Sequence, residues 1–462
     1  MSASLAEVFA EAFRDGRIRQ GGVAVSDGDT RKLEAMARTA GLQSREPVGL
    51  SFENGPNCIA AYGAAALLGA VAAPLPPSMP ADQQKALWRG VGCRFAFVGD
   101  GLADLGSDRK PVAFPAGVDW ILFSSGSTGE PKAIAASLDQ FRWNSQKTVE
   151  ILGLRSNALH LGSMSQCYTN GLFNSFMLPL LTDGSCELGP VVNGLAVRRF
   201  IQLVRDFSPQ VLWVNPTVIQ LLMSAADVSL FANVEHIVSC TAPLPQSVAI
   251  EFEDKFKHKV LQSYGLSETL ITTLERPSSD VRTQYSAGVP VGGKGDLSLA
   301  PDGRMVVHNG AVTKGYITVA DGVVTMTLPE GKPGEEFIAQ DLAEITDDGR
   351  VIIAGRLGQV LNVGGHKLGV ERLEAALQSH RNVDAAVVVP LPDKRFGERI
   401  AALVEVSSAV DKSELAQICV DRYGSFARPA ELFFVDAIPV TANGKIDRQK
   451  AAALVSQLSG QG

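Results

Sequence analysis

Four hydroxyls, two glycines and a lysine are packed into residues 123–132, Phe-Ser-Ser-Gly-Ser-Thr-Gly-Glu-Pro-Lys. Glycines let backbone N–H groups approach an anion closely, hydroxyls add donors, and a lysine adds charge. That combination suits a polyphosphate. The Gly-x-x-x-x-Gly-Lys loop of kinases and GTPases would need glycine where Pro131 stands, so a different nucleotide-handling chemistry is indicated. The apolar residues 118–122 just before it read as a buried strand, with the run expected as a loop leaving the end of that strand.

The surrounding pattern supplies the elements to hold such a loop. From residue 48 to about residue 273, short apolar runs (48–52, 94–98, 210–214) alternate with helix-length amphipathic segments such as 197–207, which implies parallel βαβ units. Past Pro290 the pattern changes. Short alternating runs flank Pro301-Asp302-Gly303 and Asp347-Asp348-Gly349, which predicts hairpins and a β-rich subdomain over about 285–355. A last segment carries a helix over 371–378, strands at 385–389, 400–406 and 431–435, and a helix beginning near Asp411 with Glu414 placed for a capping box. The fold class expected is therefore α/β. A large N-terminal domain (1–356) would be built of parallel βαβ layers plus the β-rich subdomain. A small α+β C-terminal domain (357–462) would follow, joined by the short stretch 355–359.

Composition narrows the class. The chain has 462 residues, 45% hydrophobic and 20% charged, as in ordinary globular proteins. A net charge of −7 gives no reason to expect nucleic acid or an acidic membrane surface as partner. Six scattered cysteines without paired spacing favour a reducing, cytoplasmic setting over disulfides or zinc. The greasiest stretch, 59–74, is too short for a membrane span and is expected to be a buried helix.

Further stretches stand in order along the chain: Gln262-Ser263-Tyr264-Gly265-Leu266-Ser267-Glu268-Thr269; Asp341, shortly before Gly355-Arg356; Asn362-Val363-Gly364-Gly365-His366-Lys367; and Pro439-Val440-Thr441-Ala442-Asn443-Gly444-Lys445. With 123–132, this ordered set resembles the adenylate-forming superfamily of acyl-CoA synthetases, peptide-synthetase adenylation domains and luciferases, over about residues 48 to 450. The resemblance implies two half-reactions. A carboxylate attacks the α-phosphorus of Mg·ATP to give an acyl-adenylate and pyrophosphate, and a nucleophile, usually a thiol, then displaces AMP.

The same resemblance implies roles. Ser124, Ser125, Gly126, Ser127, Thr128, Gly129 and Lys132 would hold the β- and γ-phosphates. Glu268 would help hold Mg²⁺, a cation that prefers oxygen ligands, and Ser267, in the usual threonine place, would reach the α-phosphate. Tyr264 would lie against adenine with Gln262 near its amine, alongside Ser263 and the turn Thr241-Ala242-Pro243. Asp341 and Arg356 would bind ribose. Lys445 would reach both the carboxylate and the α-phosphate, offsetting charge as it builds. The C-terminal domain that carries it would swing about a hinge near Gln359 and present Gly364, Gly365, His366 and Lys367 to the incoming thiol. His366 itself, a loop histidine beside two glycines, is expected to be exposed and inert.

Tyr168, Asn170 and Gly171 stand in the gate region of acyl-CoA synthetases, with Tyr168 in the histidine place. With Trp213, Asn215, Pro216, Thr217 and Ser263 they would line the acid pocket. No aspartate lies between Ser163 and Asn174 to pair an α-ammonium, which argues against an α-amino acid. A small oxygen-bearing or aromatic acid is expected instead. Asn362 and Val370 depart from the common pattern, as does Ala339-Gln340 before the aspartate. The acceptor reading is CoA, because the Val-Gly-Gly-His-Lys loop looks like that of CoA ligases. Two alternatives stay open: an enzyme that loads the phosphopantetheine of an acyl carrier protein or joins the acid to an amine, and a nucleotide-binding relative without catalysis.

Overall fold

The structure is a computed structural model that describes residues 3–125, 131–192, 194–280, 286–357, 360–364, 366–393, 395–440 and 446–460. The chain folds as two compact units: 1–298 with 306–338 and 347–351, and 299–305 with 339–346 and 352–462. The second unit thus takes in residues 299–305, 339–346 and 352–356 besides the expected 357–462. Hydrogen bonds in these stretches tie them to one another, including Ala343 N to Gly303 O and Leu357 N to Gln340 O.

In the first unit two sheets carry the fold. One has its strands in the order Val289–Pro290, Leu270–Leu274, Val260–Leu266, His236–Ser239, Val211–Val214, Leu159–Gly162, Ser185–Glu187, Ile18–Gln20 and Val23–Ala24. The run from Val260–Leu266 to Ile18–Gln20 is parallel throughout. The other runs Val323–Thr327, Tyr316–Ala320, Pro131–Ala136, Trp120–Ser125, Val71–Pro74, Pro47–Ser51, Phe95–Val98 and Gly101–Asp104, parallel at its centre. The expected strands at 48–52, 94–98 and 210–214 are present within a residue or two, and the helix is Val197–Phe207.

A single apolar core joins side chains of both sheets, Trp120 and Leu122 from one and Trp213 and Val238 from the other, with the helices Pro56–Leu68 and Leu138–Leu152. Trp120 stacks on Phe141 at 4.4 Å, and Phe141 meets Phe173 edge-on at 5.1 Å. Pro56–Leu68 is a buried Ala- and Gly-rich helix over the front of the expected stretch 59–74, but Gly69 ends it and Val71–Pro74 is a strand of the sheet instead; among the described residues no helix is long and apolar enough to cross a membrane.

Glu46 and Arg94 immediately precede the adjacent parallel strands Pro47–Ser51 and Phe95–Val98. Their side chains pair at 2.6 and 3.0 Å, with only 1% and 8% of their surface exposed.

In the second unit Val383–Asp393 and Gly397–Val406 form a long antiparallel pair, with Glu431–Phe434 parallel beside it. Alternation along these strands sends Ala386, Val388, Ile400 and Ala402 toward the helices Val370–Leu377 and Lys412–Tyr423. Val387, Val389, Ala401 and Leu403 face the helix Arg448–Ser459. Asp411 does start a helix, but its carboxylate accepts from Ser413 N, while Glu414 reaches the His380 ring at 3.2 Å instead of closing a capping box. Both Asp-Gly turns are present. Gly303 N bonds Ala300 O, and Gly349, at φ +82°, separates Glu336–Ile345 from Val351–Arg356.

Candidate active site

The hydroxyl-rich run is built on a hairpin, which corrects the expectation of a loop from residue 123. Strand Trp120–Ser125 continues through the first two serines and returns as Pro131–Ala136, with Ser124 opposite Lys132 and Ser125 opposite Pro131. Gly126, Ser127, Thr128 and Gly129 lie outside the described residues.

Lys132 emerges from the return strand with its Nζ 4.8 Å from the centre of the Tyr316 ring. Tyr316 sits on the neighbouring antiparallel strand, opposite Ile134. Its hydroxyl donates to Glu268 Oε1 at 2.8 Å. Glu268 lies in the turn between Val260–Leu266 and Leu270–Leu274, and its carbonyl accepts from Thr313 N. One tyrosine thus touches the lysine and the carboxylate, although they lie far apart in sequence and on different sheets. A cation on an aromatic face and a charged hydrogen bond are each modest alone, but together they fix both ends.

Glu268 supplies a partly buried carboxylate of the kind a Mg²⁺ ion takes. Among the described residues no three His, Cys, Asp or Glu side chains converge. A Mg²⁺ that arrives with a nucleotide needs only one or two carboxylates, because phosphate and water oxygens complete its shell.

The neighbouring Ser267 meets Thr169, hydroxyl to hydroxyl, at 2.8 Å. Thr169 opens the helix Thr169–Leu172, beside the half-exposed Tyr168 and the partly exposed Asn170. Gly171 packs so closely that a Cβ there would overlap Ser165 O. The preceding segment is strapped to the N-terminal region. Asn54 bonds Met164 O and Gln166 N at 2.8 Å each, and Tyr62 donates to Gln166 O at 2.7 Å.

Thr241, Ala242 and Pro243 form an exposed turn at the carboxyl end of His236–Ser239. Thr241 has φ +75°, a left-handed conformation that is costly for a β-branched residue. Gln262 props this turn from behind. Its Oε1 accepts from Leu244 N at 3.0 Å and its Nε2 donates to Ser286 O at 3.3 Å, so its amide is committed to backbone partners. Ser263 donates to Ser239 O at 3.4 Å, and Tyr264 is partly buried at a register shift before Gly265. Glu275 accepts from Gln262 N at 3.0 Å, and burial lifts its carboxyl to about 7.

Trp213 and Asn215 differ from expectation. Trp213 is fully buried in the core, and its indole N–H donates to Nδ1 of His160 at 3.0 Å, so it does not line an open pocket. Burial also holds His160 neutral, down to about 3. The Asn215 side chain caps the helix Pro216–Ala225 by accepting from Val218 N at 2.9 Å, placing Pro216 and Thr217 in the first turn of that helix.

Asp341 and Arg356 belong to the second unit, on Glu336–Ile345 and Val351–Arg356. They act with opposite sign on Glu371, whose carboxyl is raised chiefly by burial; Arg448 and Arg356 lower it, while Glu374 and Asp341 raise it. Gly364, at φ +59°, turns the hairpin Val360–Val363 to His366–Gly369. His366 is exposed, as expected, and stacks on Phe426 at 4.2 Å. Gly365, Gln359 and the Lys367 side chain lie outside the described residues, as does Lys445. The base of the Lys445 segment is described: the Val440–Ile446 bridge and Asp447 N to Pro439 O close it, and Arg448, bound to both oxygens of Glu374 at 2.8 and 3.0 Å, ties it to the helix Val370–Leu377.

Tyr316, Thr169 and Arg448 were not anticipated. No local spacing ties residue 316 to 132 or 268; strand register alone makes the contact.

Comparison with known proteins follows the same outline. Residues 110–326 match the AMP-binding enzyme family and 372–445 match the AMP-binding enzyme C-terminal domain. A probable CoA ligase of Humulus lupulus, CCL9, is 24% identical over 372 residues, covering 76% of this chain and 68% of that protein. The chain spans about two thirds of the length of the curated CoA ligases it matches, 65–68% for three of them. Among solved structures, the o-succinylbenzoate CoA synthetase of Bacillus subtilis with its acyl-adenylate superposes with a TM-score of 0.81, at 18% identity and covering 97% of this chain and 98% of that one. The amide bond synthetase McbA of Marinactinospora thermotolerans gives 0.77 at 19% identity, covering 97% and 99%. At such identities the structural likeness speaks to the fold.

Proposed function

This chain belongs to the adenylate-forming superfamily of AMP-binding enzymes, and from that premise we propose that it is an AMP-forming acid–thiol ligase. It joins a carboxylic acid to the α-phosphate of ATP, releases pyrophosphate, and passes the acyl group to the thiol of CoA. The observation that carries the reading is the contact series Lys132–Tyr316–Glu268 with Ser267–Thr169 beside it. It sets a cation, a carboxylate and two hydroxyls around the turn where nucleotide phosphates would lie.

The residues divide the work. Lys132 and the hydroxyls of its hairpin hold the leaving pyrophosphate. The carboxylate of Glu268, held by Tyr316, would hold the Mg²⁺, which when bound would screen the triphosphate charge. Ser267 donates toward the α-phosphate while Thr169 holds its hydroxyl in place. Tyr264 and the Thr241–Pro243 turn shelter adenine, and Asp341 and Arg356 bind the ribose. Lys445 bridges the acid carboxylate and the α-phosphate, lowering the barrier by neutralising charge that grows in the transition state. The C-terminal domain, residues 357–462, then turns near Gln359 and brings the loop Gly364, Gly365, His366 and Lys367 to the acceptor.

The CoA reading is supported by the curated relatives at 65–68% coverage, which are CoA ligases, the probable CoA ligase CCL9 among them. The test is acid-dependent ATP–pyrophosphate exchange over a panel of carboxylic acids, with Lys445→Ala alongside. Exchange that the variant loses supports adenylation; no exchange with any acid, or full exchange by Lys445→Ala, overturns it. Product mass after adding CoA, a phosphopantetheinylated carrier protein or an amine decides the acceptor, and acylation of the carrier or the amine alone overturns the CoA reading.

A further inference from the structure

Eight described residues other than glycine have a positive φ, and seven of them are polar or charged. The eighth is Leu270, at φ +55°, and it is also the one buried member of the set, 5% exposed. Left-handed backbone is costly for a bulky side chain, and such outliers gather where a site needs a fixed geometry. Leu270 stands two residues after Glu268. Thr269 N bonds Leu266 O at 3.2 Å to close the turn, and Leu270 pairs back opposite Leu266. A Cβ on Gly265 would come within 1.9 Å of Leu270 O, so the two backbones meet as closely as glycine allows.

Each residue of the turn has its own partner. Ser267 meets the Thr169 hydroxyl at 2.8 Å. Glu268 accepts from the Tyr316 hydroxyl at its carboxylate and from Thr313 N at its carbonyl, both at 2.8 Å. Thr269 and Thr272, fully buried, share a hydroxyl bond of 2.8 Å. Leu270 anchors the exit of the turn, because its side chain belongs to the apolar core that joins both sheets. The next residue is tied as well, with Asn144 Nδ2 donating to Ile271 O at 2.7 Å. Burying a leucine side chain offsets the cost of left-handed backbone, so the core holds this exit in a conformation that leucine does not favour locally. Glycine would take the same φ without strain, and without the anchor.

We propose that Leu270 is a positioning residue for the Glu268 carboxylate, fixing its place before a nucleotide brings Mg²⁺ to it. The buried side chain secures the exit of the turn, and the left-handed φ sets the direction in which the chain leaves it. Glu268, two residues back, is placed by both. A carboxylate already in position need not be ordered when its ligand binds, and that saving is what preorganisation contributes. The inference rests on the reading of Glu268 given above.

The test begins with the full chain free of nucleotide and metal. Leu270→Gly is expected to speed amide hydrogen exchange in the turn 266–270 about tenfold, with the strand His236–Ser239 as the unaffected control. In ATP–pyrophosphate exchange by folded protein, it should lower kcat about tenfold and raise the half-saturating Mg²⁺ several-fold, with the KM for the acid within about twofold. Leu270→Ala keeps the strained backbone and loses the anchor, so it should share these losses, and it stands in if Leu270→Gly does not fold. Leu270→Met keeps the volume and should restore kcat to within about threefold of wild type. Leu270→Gly added to Glu268→Gln should cost little more than Glu268→Gln alone, because both act through one carboxylate. Unchanged turn amides, an unchanged kcat and Mg²⁺ requirement in folded Leu270→Gly or Leu270→Ala, or full additivity with Glu268→Gln overturns this inference and leaves adenylation standing. Full exchange by Glu268→Gln overturns the reading of Glu268, and no exchange with any acid overturns adenylation itself; this inference falls with either.

Discussion

The Tyr316 hydroxyl donates to Glu268 Oε1 at 2.8 Å while the face of the same ring holds Lys132 Nζ at 4.8 Å. The tyrosine comes from a strand that pairs antiparallel with the strand of Lys132. It therefore links the two sheets of the first unit at the point where phosphate and metal would be handled.

The two contacts of Tyr316 are separable. Tyr316→Phe removes only the hydroxyl and is expected to slow pyrophosphate exchange about tenfold, the loss of one hydrogen bond to a charged group. It should also raise the Mg²⁺ concentration needed for half-maximal nucleotide binding. Tyr316→Leu removes the ring as well and should add a several-fold rise in the KM for ATP through Lys132. Identical profiles for the two variants would show that the ring contact does nothing.

Arg448 and Glu374 anchor the segment that carries Lys445, and Glu374 also accepts from Val388 N. Arg448→Met leaves the buried Glu374 carboxylate without its cation. The expected cost is about 2–4 kcal/mol of stability in the second unit. Adenylation should fall at least tenfold in protein that remains folded, while the KM for ATP changes little. Urea unfolding with exchange kinetics on the folded fraction checks both.

Glu275 gives a pH signature. Its carboxyl is raised from 4.5 to about 7 by burial, so the folded chain keeps this proton where the unfolded chain has lost it. Stability from this group is complete below about pH 4.5 and is lost as pH rises through about 7. Glu275→Gln keeps an acceptor for Gln262 N and should become more stable than wild type by roughly 2–3 kcal/mol at pH 8.5, with little difference at pH 5. Thermal unfolding of the pair across that range reads it out; a gap independent of pH would contradict it.

The Glu46–Arg94 pair tests the scaffold away from the site. Arg94 also donates to the carbonyls of Gly41 and Ser107, and Glu46 accepts from Gln43 N. Glu46→Ala strands a buried guanidinium between two parallel strands and should cost about 3–5 kcal/mol. Denaturant midpoints measure it. A loss below 1 kcal/mol, of the kind a surface pair gives, would mean that the guanidinium finds water.

Local pattern was enough for most of the elements. The helix Val197–Phe207, the Asp-Gly turns and the buried helix Pro56–Leu68 follow from period, turn chemistry and composition, each set by a residue and its near neighbours. The ordered motifs likewise carried the superfamily. Where local pattern failed, a partner outside it won: Glu414 found His380 in another element, and Ser124 and Ser125 had strand partners in Lys132 and Pro131 that outweighed their loop-like composition.

By itself, then, the sequence determined the order of elements, the family, and the residue types available for chemistry. Tertiary structure alone decided which of those residues meet. It brought Tyr316 to Lys132 and Glu268, gave Thr169 to Ser267, committed Gln262 to backbone, sank Trp213 into the core against His160, and placed Asp341 and Arg356 in the second unit. The reason is physical. Propensity and periodicity act over a few residues, whereas these contacts depend on strand order and register, set by how crossover helices pack distant segments into one sheet.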